Sequence, residues 1–144
     1  MASTQECEQF LEMGARIEKG LYRFALMQTG SRAAAEKALT EALVACFRTG
    51  AGGGDAEVLE MKAFRAIFDL SQNAPYVAED PEDDIPPTAR PLYARLSGLT
   101  PLERAAVILT CLCRFTAREV ADILCVPIGR VCDCRLKWFK LLLP

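Results

Sequence analysis

The chain has 144 residues, 51% of them hydrophobic and 25% charged, with 7 Cys, no His and a formal net charge of -2. That length allows one ordinary domain or two small ones. The lack of His removes the commonest general base and metal ligand, and no apolar run approaches the roughly 20 residues that span a bilayer.

An odd Cys count, behind an N-terminal MASTQECEQFLEMG with no apolar stretch, speaks against a disulfide framework and a signal peptide. A cytoplasmic protein is expected. Charge is uneven along the chain: residues 1–99 carry 10 Lys and Arg against 15 Asp and Glu, and residues 100–144 carry 7 against 4. A basic end behind an acidic remainder fits a nucleic-acid-facing segment, and equally an ordinary solvated helical surface.

Gly and Pro punctuate patterns of helical period, and few stretches read as strands. The first helix is expected over about Thr4 to Lys19, with Phe10, Leu11, Met13 and Ile17 apolar, and Gly20 interrupting it. Leu21, Phe24, Ala25 and Met27 then continue at helical spacing to a stop at Gly30. Ser31 is the expected N-cap of a helix reaching Arg48, in which Ala35, Leu39, Ala42, Leu43, Cys46 and Phe47 follow the i, i+3, i+4 rule. Gly50 to Gly54 is a loop with no Lys-Ser/Thr sequel, so it is no phosphate cradle. Asp55 can cap a helix whose apolar face is Val58, Leu59, Met61, Phe64, Ile67, Phe68 and Leu70.

From residue 73 to 98 the chain turns rich in Pro and in acids. It reads as a solvated linker with a short helix near Leu92 to Leu96. Behind it, Thr100-Pro101-Leu102-Glu103 is a capping box with Pro at the first helical position, opening a helix to about Cys113. Thr116-Ala117-Arg118-Glu119 is a second capping box, opening a short helix that ends near Cys125. Val126-Pro127 breaks the chain, and a last helix runs from Ile128 to about Leu143. A short helix, a tight turn and a longer helix make a helix-turn-helix pattern. In the last helix Val131, Cys134, Trp138 and Leu142 are the expected core positions, while Phe139 and Leu143 have no clear place in so small a core.

These residues carry a resemblance. LTPLERAAVILTCLCRFTAREVADILCVPIGRV resembles region four of an extracytoplasmic-function sigma factor. It does so through Leu99, Pro101, Glu103, Arg104, Phe115, Thr116, Glu119, Val120, Ala121, Ile123, Leu124, Pro127, Gly129 and Val131. LYRFALMQTGSRAAAEKALTEALVACFR is similar to region two, through Leu21, Tyr22, Ala25, Thr29, Gly30, Ala35, Glu36, Glu41, Ala42 and Phe47. The resemblance implies an all-α fold of two modules, region-two-like over 1–72 and region-four-like over 99–144, joined by the linker 73–98. It implies binding to core RNA polymerase, capture of the -10 promoter element by the first module and insertion of the last helix into the major groove of the -35 element. Arg118, Arg130, Arg135, Lys137 and Lys140 are then the expected DNA contacts. Glu36, Glu41, Arg48 and Phe139 are the expected polymerase or partner contacts.

Departures from that pattern define an alternative. The region-two helix reads Ala34, Lys37 and Thr40 where the family tends to acids and Gln. The chain after the fourth expected helix carries Glu79, Asp80, Glu82, Asp83 and Asp84, which repel phosphate. Cys132, Asp133 and Cys134 stand where the family often shows Lys-Ser-Arg, and a thiol cannot make the bidentate contact to guanine. The alternative is a sigma mimic that engages an anti-sigma factor or polymerase by protein contacts without reading DNA.

Other chemistries find little support. Cys111 and Cys113, like Cys132 and Cys134, are two apart, which on a helix points them to nearly opposite faces, so no metal site is expected. No nucleophile and base stand at a recognisable spacing and no cofactor fingerprint is present. Neither an enzyme, a cofactor nor a small-molecule substrate is expected.

Overall fold

The structure, a computed structural model, describes residues 4–49, 56–73, 75–77, 79 and 87–142. Among them the regular structure is helical, with no strand. Helix α1 spans Thr4–Thr29, α2 Arg32–Arg48 and α3 Ala56–Ser71. A 3-10 turn, Pro87–Ala89, leads into α4, Arg90–Arg95, and a second 3-10 turn, Leu96–Gly98. Then come α5, Pro101–Val107, a π-helical turn over Ile108–Leu112, α6, Ala117–Leu124, and α7, Ile128–Leu142.

Gly20 does not interrupt α1, which is one helix of 26 residues. A Cβ placed at Gly20 would meet nothing. The glycine costs only about 1 kcal/mol of propensity, while Ile17 before it and Leu21 and Phe24 after it pack on the same core. The side chains of Phe10 and Met13, the loop from Gly50 to Gly54 and the Asp55 cap lie outside the described residues. The expected stop is where the pattern put it. Gly30 is left-handed at φ 73 and its N–H donates to Leu26 O at 2.7 Å. The Ser31 hydroxyl accepts from Ala34 N at 3.3 Å as the N-cap of α2.

α1, α2 and α3 pack in a three-helix arrangement around Leu21, Phe24, Leu39, Leu59, Phe64 and Ile67. Small Ala35, Ala38 and Ala42 on α2 are buried and let the backbones approach closely. α5, α6 and α7 form a second cluster, with Val131, Cys134 and Trp138 of α7 buried as the pattern predicts. Of α3's expected apolar face, Val58 and Leu70 are instead exposed, because the buried stripe of Leu59, Phe64, Ile67 and Phe68 is narrower than the run of apolar residues.

The two clusters meet in one continuous apolar core. Phe64 of α3 stacks edge-on against Phe24 of α1, with centroids 5.3 Å apart, and against Phe115, 5.4 Å away in the loop before α6. The π turn delivers Phe115 there: Cys113 N donates to Ile108 O at 3.1 Å, and Arg114 takes φ 61 to swing the chain inward. Such a widened turn shifts the register of everything after it.

Part of the acidic segment is a docked strap. Val77 N donates to Thr29 O at 3.0 Å and Glu79 N to Gly30 O at 2.9 Å. The Glu79 carboxylate accepts from Arg32 N at 3.0 Å at the start of α2, where the helix dipole favours an anion. Tyr93 Oη donates to Glu79 O at 2.6 Å and ties α4 to the same point. The rest of the acidic run, residues 80–86, lies outside the described residues. The short helix expected near Leu92 to Leu96 begins two residues earlier, at Arg90.

Candidate functional site

Both capping boxes form. Thr100 Oγ1 accepts from Glu103 N at 3.3 Å while Thr100 N donates to Glu103 Oε1 at 3.0 Å. Thr116 and Glu119 repeat the exchange at 3.2 and 2.9 Å. α6 then ends at Cys125, left-handed at φ 53, and three residues later α7 begins. Two helices across a tight turn, the first of them capped, are therefore present over residues 116–142. α6 lies against α3 as well as α7, so the unit is braced by the first bundle.

The cations expected to contact DNA do not all share one face. Arg118 on α6 and Arg130 and Lys140 on α7 are exposed, Lys137 is half-exposed, and Arg135 is partly buried. At 3.6 residues per turn, Arg130 and Lys137 lie about 20° apart around α7, whereas Arg135 is about 140° from Arg130. Lys140 lies about 80° from Arg130 on the Lys137 side, so three of the four α7 cations share one flank and Arg135 takes the other. Lys137 is also engaged: its Nζ lies 2.7 Å from Glu103 Oε2. Burial alone would raise the Glu103 carboxyl, but the hydrogen bonds from Lys137 and from Thr100 outweigh it and hold it below the ordinary glutamate range. Lys137 thus links α7 to the cap of α5.

Between those flanks the outward face of α7 is apolar. Ile128 is 48% exposed, Leu136 59% and Phe139 51%, and Cys132 is exposed between them. Spaced i, i+4, i+8 and i+11, they share one face of the helix. Sequence reasoning missed Ile128 and Leu136. Their spacing was the available signal, legible once Val131, Cys134 and Trp138 are assigned to the core.

The expected partner contacts on α2 are all exposed. Glu41 pairs loosely with Lys37, at 4.0 Å across one helical turn. Arg48 borders a groove of about 570 Å³ between α1 and α2, lined also by Cys7, Leu11, Thr40, Leu43, Val44 and Phe47. Leu11, one of the expected apolar positions of α1, is 69% exposed here, and Val44 is 43% exposed. Below Gly14, Cys7 and Leu11 of α1 line this concave surface.

The buried polar centre of the molecule is Arg104. It is 5% exposed. Its guanidinium donates to Gln28 O at 2.7 Å, Leu99 O at 3.0 Å and Leu96 O at 3.2 Å, and lies 4.3 Å from the centre of the Tyr76 ring. Gln28 Nε2 donates in turn to Pro101 O at 2.8 Å. Burial lowers the guanidinium's pKa and raises that of the Tyr76 phenol, and Tyr76 and Arg104 oppose those shifts in each other. This cluster fastens the end of α1, the strap, the Leu96–Gly98 turn and α5.

The C-x-C pairs split as helical geometry requires. Cys111 is exposed and Cys113 half-buried; Cys132 is exposed and Cys134 buried. Burial, with Glu60 nearby, pushes the Cys113 thiol up to about 12, so it stays protonated and unreactive. Among the described residues no three His, Cys, Asp or Glu gather to hold a metal ion, and no helix is long and apolar enough to cross a membrane.

No protein-family model matches the chain, and no curated protein or solved structure matches it.

Proposed function

We propose that this chain is a sigma-factor-like protein of transcription initiation. In this reading residues 1–72 act as a region-two-like module and residues 99–144 as a region-four-like helix-turn-helix, and the protein engages core RNA polymerase or its regulators. The observation that carries it is the pair of helices Ala117–Leu124 and Ile128–Leu142, which meet across a three-residue turn, the first of them capped by a capping box and braced against the three-helix bundle. The sigma-like residues of both segments do structural work consistent with it. Arg104, Gly30 and Phe115 sit at the joints of the fold.

A second reading, a sigma mimic that docks on an anti-sigma factor or polymerase without reading promoter DNA, is favoured by the surface of α7. Base edges are read by donors and acceptors. The face that would enter the groove presents Ile128, Cys132, Leu136 and Phe139, with Arg130, Lys137 and Lys140 to one flank of it and Arg135 to the other.

In-vitro transcription with core polymerase and the cognate upstream region, beside a pull-down of polymerase subunits, tests both. Promoter-specific initiation establishes a working sigma factor. Retention of polymerase or of an anti-sigma protein without initiation establishes the mimic. Neither initiation nor retention sinks both.

A further inference from the structure

Two exposed apolar surfaces on this chain, one a ridge and one a groove, are bordered by helical segments of opposite net charge. One is the ridge on α7 formed by Ile128, Cys132, Leu136 and Phe139. The other is the groove between α1 and α2, walled by Leu11 and Val44. Together they hold five of the eight large hydrophobic side chains that stand exposed among the described residues. Exposed apolar surface gathered in patches marks an interaction site, whereas scattered residues need no explanation.

The dimensions agree. The ridge runs about 16 Å from Ile128 to Phe139, and the α2 wall of the groove about 12 Å from Thr40 to Arg48. The charges also agree. α7 carries Arg130, Arg135, Lys137 and Lys140 against the single acid Asp133. The α1 segment Thr4–Ala15 carries Glu6, Glu8 and Glu12 and no Lys or Arg, with Glu8 and Glu12 exposed beside Cys7 and Leu11, against one cation on the groove lining, Arg48. A net charge of -2 sets up little repulsion between whole molecules. The ridge cannot serve its own chain's groove, because Val131, Cys134 and Trp138 hold the opposite face of α7 in the core.

We propose that the α7 ridge of one copy seats in the α1/α2 groove of a second copy. The inference stands apart from the transcriptional reading, although self-association would cover the outward face of α7 and so exclude any other ligand from it. The contact is small, below about 1,200 Å² in all, so the association is weak and concentration-dependent. It also places Cys132 of one copy at a groove lined by Cys7 of the other.

That thiol pair supplies the test. Light scattering of the full chain under reducing conditions should show the mean mass rising above 15.8 kDa with concentration. Leu136→Glu and Leu11→Glu should each hold it at the monomer value with an unchanged circular dichroism spectrum, since both side chains are exposed. Glu12→Lys should weaken the association several-fold, and salt should weaken it in the wild type. Diamide, which takes up the two protons and two electrons released as two thiols join, should trap a chain-to-chain disulfide that peptide mapping assigns to Cys7 and Cys132. Cys7→Ser or Cys132→Ser should abolish it, and Cys111→Ser or Cys125→Ser should not. A mass fixed at the monomer value at every concentration overturns the proposal. So does association that survives Leu136→Glu, or cross-links confined to other cysteines.

Discussion

The joint between the two helical clusters and the outer face of α7 invert each other's composition. The joint buries a guanidinium where an apolar side chain would serve as filler. The outer face of α7 exposes apolar side chains where a helix-turn-helix would be expected to offer charge. Arg104 satisfies three carbonyl groups that end or cap other elements, so its charge is spent on holding architecture. On α7, the cation best placed near the joint, Lys137, is likewise tied to the cap of α5. Two of the seven Lys and Arg in residues 100–144 therefore serve the fold, and the local count overstates by that much what is left for phosphate.

The sharpest way to break this contrast is at Arg104. Arg104→Ala leaves the carbonyls of Gln28 and Leu99 without the guanidinium that meets them, takes one of two donors from Leu96 O, which keeps the Leu99 N–H, and removes the cation from the Tyr76 ring. The expected loss is about 3 kcal/mol or more, from unsatisfied buried polar groups. Urea unfolding measures it. Arg104→Lys should recover little, because one ammonium cannot reproduce the planar fork that reaches three acceptors. A loss under about 1 kcal/mol for Arg104→Ala would show that the cluster is not what fastens the two halves.

Gly30→Ala comes next. The residue sits at φ 73, and a Cβ there would lie 1.9 Å from Val77 O. The left-handed conformation alone costs about 1–2 kcal/mol for a residue with a side chain, and the strap must also shift. A loss of about 2 kcal/mol or more is expected, together with faster proteolysis around Val77. Stability lost without new cleavage would mean that the strap stays docked.

Much of this was legible in the sequence. The two capping boxes, the Gly30 stop and the Ser31 cap are local devices whose chemistry depends on neighbours three or four residues away, and the pattern names them directly. The strap was not legible. Its acids suggest solvent, and only the tertiary placement of the α2 N-terminus shows that Glu79 has a helix end to cap. Arg104 could be matched to a family pattern, but its burial depends on acceptors from residue 28 to residue 99. The ridge on α7 was half legible: period identified the buried face and left the opposite one undescribed.

A smaller effect tests the link from α7 to the α5 cap. Glu103→Gln preserves the capping box, since an amide oxygen can still accept from the Thr100 backbone, but it removes the charge that Lys137 meets. The Glu103 carboxyl is held below its ordinary range in the folded chain. Its contribution is therefore complete above the unfolded value, about 4.3, and is lost as the pH falls through the lower folded value. With Lys137 half-exposed, the gap between wild type and variant at neutral pH should be about 0.5 kcal/mol. Thermal melts across pH 3 to 7 should show that gap closing on the acid side. A gap that persists at the lowest pH would assign the effect to the cap and not to the ion pair.

The smallest expected effect on stability is the most informative about the outer face. Leu136→Lys replaces an exposed apolar side chain with one of equal helix propensity, so unfolding should change by no more than about 0.5 kcal/mol. If α7 is a DNA-reading helix, the added cation between its two basic flanks strengthens binding to duplex and steepens its salt dependence. If the face is built for protein contact, the same change leaves DNA binding negligible and removes the partner. Because the fold is indifferent to residue 136, any change in either assay reports on recognition alone. A marked loss of stability would instead mean that Leu136 is packed, and the exposed ridge would no longer exist as a surface to interpret.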